Sequence, residues 1–545
     1  MKQSYFLLFI LLNSLLIAQP GTESPITPIT SSIPYQGYIE AAAHLGEGEY
    51  KIYYDNIDGV LDKPIFFVDG FDPGDSRTIP MMYDLLNYGE PLENLGDIVR
   101  DTGYDIIVLN FPTYTSSSDG FTIIDGGGDY IQRNAFTLIE LISIINELKT
   151  GNEENVVIGP SMGGLISRYA LRYMEQNNLS HETRLYVSFD APHLGANVPI
   201  GLQYLFNYLL NGDPNSTDAE FLVNGLLNSA AAKQMLIDHY SSHLLGNSAF
   251  EQDPSLIDPL GATNFRTNFQ TELDVLGFPQ NTRNIAITNG SGSGVMTGTP
   301  GMELINHLFY TGVQDGFDTR ANMTVHFTPL ADQTAQVCEF IGQFFFFVWI
   351  EAFSYSALAK SPSSSDGIDS APGGQFDLYS FDDGTNPLIT EFVDNLNSQY
   401  FNFIPTLSGL AIPNPNWYET PNAGNSPFDD IYIPELNEPH VTLTDGNVSF
   451  ILDEIFQGTL NATDDEITSI RLKKNPIASS LDLLTSYNSI QANINIFNTM
   501  GQLVYSTSTN LKSTTSLPLH LSSGVYILDI QTSTFKNYRT KLVVE

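Results

Sequence analysis

A chain of 545 residues is too long for one compact core, so two or three domains are expected. Apolar residues make up 42% of the sequence, which allows sizeable cores and excludes global disorder. The formal net charge of −40 argues against nucleic acid or an anionic membrane as a partner.

The N-terminus has the features of an export signal. Lys2 gives a positive start, residues 5–12 are apolar, and Ala18 is a small residue at a plausible cleavage point. The apolar run is too short for a membrane anchor. Residues 1–18 are therefore predicted to be a signal peptide, and residues 19–36, rich in Pro, Thr and Ser, a flexible lead-in. The single cysteine leaves no intrachain disulfide, which in an exported protein of this size is typical of a bacterium.

Strand-like and helix-like segments alternate over residues 37–460. Helical periodicity at residues 130–149 and 164–174 separates the apolar runs. Such runs predict strands buried on both faces, and they lie at residues 65–68, 105–109, 156–158, 185–189 and 284–287. This alternation predicts an α/β domain with a mostly parallel sheet and helices on both faces.

Two further segments interrupt that alternation. Residues 196–280 are mostly helical and are predicted to form an insertion, either a cap over the site or ordinary helical packing. The apolar run at residues 338–353 is too short and too polar to cross a bilayer, so it is predicted to form buried strands. No transmembrane segment is therefore expected in the mature chain.

The C-terminal part differs from the rest in composition. Residues 470–545 hold seven basic and three acidic residues, are rich in Ser and Thr, and contain short strand-like runs. This pattern predicts a small all-β sandwich over residues 468–545.

The same tail contains an ordered set of short motifs. They are Asn475-Pro476, Leu481-x-Leu483, a run from Ile494 to Gly501, Leu521-x-x-Gly524-x-Tyr526 and the terminal residues 541–545. Together they resemble the type A sorting domain of the type IX secretion system of Bacteroidetes. The resemblance implies passage through the periplasm of a Gram-negative cell, contact with the secretion machinery, removal of the tail, and release or attachment at the cell surface.

The strongest chemical motif is Gly159-Pro-Ser161-Met162-Gly163-Gly164, between a predicted strand and a predicted helix. This is the G-x-S-x-G nucleophile elbow in its required context, and it predicts Ser161 as a nucleophile. The glycines are needed because side chains at these positions would collide with the strand and the helix. The motif resembles the lipase and esterase branch of the α/β-hydrolases, which implies that fold for residues 37–460.

A second donor loop is expected near this serine. Asp69-Gly70-Phe71 follows the first predicted core strand and resembles the His-Gly-x segment of lipases, with Asp69 in place of the histidine. By that resemblance, the oxyanion-hole donors are the backbone N–H groups of Phe71 and Met162. A simple turn at the strand end fits the same residues.

In this fold the general base follows the nucleophile and the acid in chain order. His440 lies on a loop just before a helix-like run at residues 448–455, so it is the predicted base. Asp190, at the end of the strand at 185–189, is favoured as the acid, and Asp429 stays open as the alternative. The ~10 residues between Asp429 and His440 leave little room for an intervening strand and helix.

His193 is a separate case. Ala191-Pro192-His193-Leu194-Gly195 resembles the Thr-Pro-His-x-Gly segment that follows the sixth strand in bacterial lipases. That resemblance implies a structural role for His193.

The expected chemistry needs no cofactor and no metal. The sequence has no His or Cys pair with metal-ligand spacing and no glycine-rich phosphate motif in context. The predicted function is hydrolysis of an ester or lipid-like small molecule through an acyl-enzyme on Ser161. The alternatives are a peptidase or thioesterase with the same nucleophile, or a non-catalytic adhesion or binding protein on the same fold.

Overall fold

The chain divides into two compact units, Met1–Ile455 and Phe456–Glu545, in a computed structural model. The predicted signal peptide at residues 1–18 lies outside the described residues. The structure describes residues 20–214, 216–314, 316–382, 384–457, 470–485, 490–498, 501–512, 514–532 and 537–544.

The first unit is built from short strands and helices in alternation. Its strands are β1 (Thr27–Tyr35), β2 (His44–Tyr53), β3 (Pro64–Val68), β4 (Asn87–Tyr88), β5 (Glu93–Asn94), β6 (Asp105–Asn110), β7 (Thr113–Thr115), β8 (Ile123–Asp125), β9 (Asn155–Pro160), β10 (Thr183–Phe189), β11 (Arg283–Ile287), β12 (Glu303–Gln314), β13 (Phe317–His326), β14 (Thr334–Phe346), β15 (Val348–Lys360), β16 (Gly373–Asp377), β17 (Tyr400–Pro405) and β18 (Asp430–Tyr432). Its α-helices are α1 (Ile79–Asp84), α2 (Leu95–Arg100), α3 (Ile131–Leu148), α4 (Met162–Gln176), α5 (Ile200–Asn211), α6 (Ala230–Met235), α7 (Arg266–Leu276), α8 (Pro387–Asp394), α9 (Thr406–Gly409) and α10 (Asp445–Gln457).

The central sheet has eight strands in the order β1-β2-β6-β3-β9-β10-β11-β18. Strands β1, β2 and β6 pair antiparallel, and the pairs from β6 to β18 are parallel. Alternate residues of β3 point to opposite faces. Phe66 and Val68 belong to a core with α3 and α4, whereas Ile65 and Phe67 face residues of α2 and α10. The predicted α/β-hydrolase sheet with helices on both faces is confirmed.

The prediction of a flexible lead-in at residues 19–36 is wrong for half of that segment. Residues 27–35 form the edge strand β1, paired with β2. Ile29 and Ser31 point inward and are buried, and Thr30 between them is exposed. Pro28 and Pro34 are tolerated because an edge strand leaves some N–H groups without a ladder partner, and the register shifts between Thr30 and Pro34.

The segment between β10 and β11 is largely helical and contains α5, α6 and α7. A second insertion between β11 and β16 is a four-stranded antiparallel sheet of long hairpins, in the order β12-β13-β14-β15. The sequence predicts buried strands at residues 338–353. The strands are present, but the end of the β14–β15 hairpin is exposed.

The second unit is all-β. Its strands are β19 (Ile470–Leu472), β20 (Ser480–Thr485), β21 (Ile490–Asn498), β22 (Leu503–Leu511), β23 (Thr514–Pro518), β24 (Gly524–Thr532) and β25 (Asn537–Val544). They form antiparallel sheets in the orders β19-β20-β23 and β22-β21-β24-β25. Alternate residues such as Leu481, Leu483, Ile494 and Ile496 form one buried core, which confirms the predicted β-sandwich.

No helix in the described part of the chain combines the length and apolar character that crossing a membrane requires.

Candidate active site

Ser161 occupies the turn between strand β9 and helix α4, with backbone angles φ 52° and ψ −128°. Positive φ is costly for any residue other than glycine and marks a strained turn. A Cβ atom at Gly159 would lie 2.4 Å from the carbonyl oxygen of Gly163, and one at Gly163 would lie 2.5 Å from that of Val68. Both positions therefore require glycine, and the turn presents Ser161 at the carboxyl edge of the sheet.

The structure brings Ser161, His440 and Asp190 into one hydrogen-bonded chain. His440 Nε2 lies 2.9 Å from Ser161 Oγ, and His440 Nδ1 lies 2.6 Å from Asp190 Oδ2. An ionised carboxylate only accepts, so Nδ1–H donates to Asp190 and Nε2 is left to accept the hydroxyl proton. This is the order of contacts that activates a serine for attack on a carbonyl carbon.

Asp190 follows strand β10 and is fully buried. Its Oδ1 accepts hydrogen bonds from the backbone N–H of Asn289 at 3.0 Å and from Thr288 Oγ1 at 3.2 Å. A Cβ atom at Gly374 would lie 2.0 Å from Asp190 Oδ2, so the glycine leaves room for the carboxylate. His440 is the third donor to this carboxylate, and the three hydrogen bonds fix the buried group in one orientation.

Asp429 has a different place. It is exposed, and its Oδ2 accepts the backbone N–H of Asn284 at 2.7 Å, beside the pairing of β11 with β18. Of the two predicted acids, the structure brings Asp190 to His440 and leaves Asp429 at this strand pair.

The loop that carries His440 is tied to two neighbouring elements. The backbone N–H of His440 donates to the Gln375 carbonyl at 2.8 Å, and the N–H of Gln375 donates to the Glu438 carbonyl at 3.0 Å. The side-chain amide of Asn289 donates to Glu438 Oε2 at 2.8 Å and to the Thr442 carbonyl at 2.9 Å. Strand β16 and Asn289, which follows β11, therefore hold the loop on both sides of the histidine.

The imidazole itself is held by packing. The Phe403 ring meets the His440 ring edge to face, with centroids 4.9 Å apart and an interplanar angle of 82°. The next residue, Val441, has φ 59°, a conformation that a β-branched residue adopts only when the surroundings enforce it. Backbone strain thus occurs at Ser161 and beside His440.

The predicted oxyanion loop lies against the elbow. A Cβ atom at Gly70 would lie 3.3 Å from Ser161 Cβ, so the backbone of this turn passes directly beside the serine. Within the described chain, the backbone N–H groups of Phe71 and Met162 donate to no other group. Both therefore stay available to a ligand beside Ser161.

Asp69 and Arg77 hold this loop through hydrogen bonds. Arg77 Nη2 donates to Asp69 Oδ1 and to the Phe71 carbonyl, each at 3.0 Å. Asp69 Oδ1 also accepts the N–H of Gly70 at 2.8 Å. Burial raises the pKa of the Asp69 carboxyl to about 7, although Arg77 acts in the opposite direction.

His193 lies away from this chain of contacts. It is fully buried, its Nε2 lies 2.7 Å from Ser188 Oγ, and its ring packs between Phe278 and Phe428 at centroid distances of 5.4 and 5.3 Å. Burial lowers the pKa of His193 well below its ordinary value, which keeps the ring neutral. These contacts fit a packing role.

Three residues at the site were not predicted from the sequence, namely Asn289, Gly374 and Gln375. A signal for Asn289 was available, because it follows β11 at the same sheet edge where Asp190 follows β10. Gly374 and Gln375 lie on β16, outside the central sheet, and no local motif points to them. In the described part of the chain, no group of three or more His, Cys, Asp or Glu residues is placed to hold a metal ion.

Comparison with known families gives two matches. Residues 475–545 match the family described as "Secretion system C-terminal sorting domain". Residues 132–209, which include the elbow and Asp190, match the family described as "Putative serine esterase". A search among curated proteins found no match.

Several solved structures resemble part of the chain at low identity. The peroxisomal α/β-hydrolase Lpx1 of Saccharomyces cerevisiae is 16% identical with a TM-score of 0.27, over 49% of this chain and 74% of that one. Est1E of Butyrivibrio proteoclasticus is 9% identical with a TM-score of 0.24, over 48% and 77%. An esterase of Pyrobaculum calidifontis is 12% identical with a TM-score of 0.20, over 35% and 52%.

The serine esterase match supports a hydrolase, and the sorting-domain match indicates export to the cell surface or the medium. The chain thus combines a domain of the α/β-hydrolase fold with a C-terminal segment that matches the sorting-domain family.

Proposed function

We propose that this protein is an exported serine hydrolase that cleaves carboxylic esters through an acyl-enzyme on Ser161. The observation that carries the proposal is the hydrogen-bonded chain from Ser161 through His440 to the buried carboxylate of Asp190. The family match at residues 132–209 supports the choice of an ester over other acyl compounds.

The proposed reaction is a two-step acyl transfer. His440 Nε2 takes the Ser161 proton as the oxygen attacks the ester carbonyl, and Asp190 stabilises the imidazolium that forms. The tetrahedral oxyanion accepts hydrogen bonds from the N–H groups of Phe71 and Met162. His440 then protonates the leaving alcohol, and a water molecule, activated by the same imidazole, releases the acid and restores Ser161.

A substrate panel tests this reaction. The full chain should hydrolyse p-nitrophenyl esters of graded acyl length, and Ser161→Ala should abolish turnover while keeping the melting temperature of the wild type. Turnover of peptides or thioesters alone would instead assign the site to a peptidase or a thioesterase. Labelling by a fluorophosphonate probe separates all of these from a binding protein, because a folded wild type that stays unlabelled has no activated serine.

We also propose the route of export. The N-terminal segment directs the chain across the inner membrane of a Gram-negative bacterium of the Bacteroidetes, and residues 468–545 engage the type IX machinery at the outer membrane. Deletion of residues 468–545 should leave the hydrolase in the periplasm, and appearance of the shortened protein in the medium at the normal level would contradict this route.

A further inference from the structure

The hairpin formed by β14 and β15 ends in an unusual run of exposed apolar residues. Seven consecutive residues, 344–350, read Phe-Phe-Phe-Phe-Val-Trp-Ile and carry no charge. Phe347 at the turn is 84% exposed and Val348 beside it is 64% exposed. We name residues 344–350 the aromatic tip.

The aromatic tip extends well beyond the core that supports its hairpin. Phe340 and Tyr355 form a cross-strand pair and are both buried, whereas Phe347 lies at the turn. Phe347 lies seven residues beyond Phe340 along the chain, which at ~3.3 Å per residue gives a projection of about 23 Å. A segment of this length, with its apolar end exposed, is a binding surface rather than part of the core.

Both faces of the hairpin are apolar at its end. Phe344 and Phe346 point to one face, where Phe317 of the neighbouring hairpin packs on them with ring centroids 5.6 and 6.0 Å away. Phe345 and Trp349 form a cross-strand pair on the opposite face, with centroids 5.4 Å apart. A flat protein partner would cover only one face of the hairpin, whereas the apolar part of a lipid layer would surround both faces.

Polar groups follow in layers away from the turn. Tyr310 and Trp349 lie close together, with centroids 6.3 Å apart, and the Arg320 guanidinium lies 4.0 Å from the Trp349 ring centroid. Tyr and Trp favour the headgroup level of a lipid layer, and Phe favours the acyl region below it. On the neighbouring hairpin, Asp318 is exposed and precedes Thr319, which pairs with Phe344, so immersion is limited to the end of the tip.

We propose that the aromatic tip is a lipid-binding site that inserts shallowly into a zwitterionic lipid–water interface. Insertion of the turn by about 5–10 Å would bury Phe346, Phe347 and Val348 while Trp349 stays at the headgroups. The net charge of −40 makes an anionic surface repulsive, which selects the zwitterionic one.

Flotation with lipid vesicles tests the proposal on the full chain. The test variant carries Phe346→Ser, Phe347→Ser and Val348→Ser. The matched control carries Phe121→Ser and Ile123→Ser, which remove exposed apolar residues (77% and 74% exposed) beside the turn between β7 and β8. Equal melting temperatures for the three proteins verify folding.

We expect the wild type and the control to float with phosphatidylcholine vesicles and the test variant to bind at least about tenfold less. Absence of flotation by the wild type, equal flotation of the test variant, or binding to phosphatidylglycerol vesicles alone would overturn the proposal. The proposal would also be overturned if the wild type is a dimer, the test variant is a monomer, and neither binds lipid. The aromatic tip would then bind a second copy of the chain. Flotation needs no turnover, so its outcome is independent of the proposed esterase activity.

Discussion

The backbone N–H of Asn289 donates to Asp190 Oδ1 at 3.0 Å, so a residue just after strand β11 fixes the carboxylate that follows strand β10. The side chain of the same asparagine donates to the loop on either side of His440. One buried residue therefore links the predicted acid to the loop of the predicted base. Asn289 is a positioning residue, since its side chain acts on the site through Glu438 and Thr442.

Replacing this asparagine should disturb the reaction more than substrate binding. We expect Asn289→Ala to lower kcat by about 10- to 100-fold with little change in KM, because a small displacement of His440 weakens proton transfer in the transition state. Steady-state kinetics on a short-chain p-nitrophenyl ester measure both constants, and the rate of fluorophosphonate labelling should fall in parallel.

A control for that variant is available on strand β11, which Asn289 follows. Asn284 is buried near the start of β11, and its side chain donates to the Pro279 carbonyl at 2.8 Å, at the other end of the strand from the site. Asn284→Ala should lower the melting temperature but leave kcat per folded molecule unchanged. An equal fall in kcat for both variants would show that Asn289 only stabilises the fold.

The choice between the two candidate acids has a direct test. Asp190→Asn should lower kcat by about 10³- to 10⁴-fold, because an amide stabilises neither the reactive tautomer nor the imidazolium. Asp429→Asn should keep activity within about threefold of the wild type, since Asp429 serves the pairing of β11 with β18. A large loss from Asp429→Asn with an active Asp190→Asn would reverse the assignment.

Gly374 provides a test of the space around the acid. A Cβ atom there would lie 2.0 Å from Asp190 Oδ2, so Gly374→Ala must push the carboxylate out of its place. We expect a loss of activity close to that of Asp190→Asn and a fall in unfolding free energy of about 1–3 kcal/mol. Gly246→Ala is the matched control, because a Cβ there meets nothing within 4 Å. Normal activity of Gly374→Ala would mean that Asp190 can act from a shifted position.

The parts of the site that the sequence predicted are those with a local pattern. The elbow around Ser161 follows from its glycines and from the change of strand to helix, and the fold class follows from the buried runs. The choice between Asp190 and Asp429 stayed open because Asp190 ends a predicted strand and Asp429 lies a short way before His440 in the chain. The order of the strands in the sheet decides which carboxylate lies close to His440. Strand β10, which Asp190 follows, lies next to β11, and β11 lies next to β18, which precedes the His440 loop.

Other features depend on contacts between distant segments and leave no local trace. Strand β1 lies in a stretch rich in Pro, Thr and Ser, a composition that does not predict a strand. These residues form a strand because they pair with β2 at the edge of the sheet. The apolar run at 338–353 suggests burial, yet Phe347 is 84% exposed because no other element covers the end of the hairpin in the described chain. Composition reports how apolar a segment is, and its surroundings decide whether it is covered.

Asp69 predicts how stability depends on pH. Burial raises the pKa of this carboxyl from its ordinary value of 3.8 to about 7. Between about pH 4 and pH 7 the folded chain therefore keeps a proton on Asp69 that the unfolded chain has released. The unfolded state binds fewer protons in this window, so the contribution of Asp69 to the free energy of unfolding falls as pH rises and levels off above about pH 7. The fall is at most about 1.4 kcal/mol per pH unit.

The neutral variant Asp69→Asn removes this proton uptake. We expect the free energy of unfolding of the wild type, minus that of Asp69→Asn, to decrease from pH 5 to pH 7 in urea titrations at fixed ionic strength. The control Asp84→Asn removes an exposed carboxylate, and the decrease for Asp69→Asn should exceed any change that this control gives over the same range. A difference that increases with pH for Asp69→Asn would mean that Arg77 outweighs burial and keeps the carboxylate ionised. In that case, the ion pair between Arg77 and Asp69 would stay charged over the whole pH range in which the site is active. Activity should then fall with Arg77→Ala at every pH.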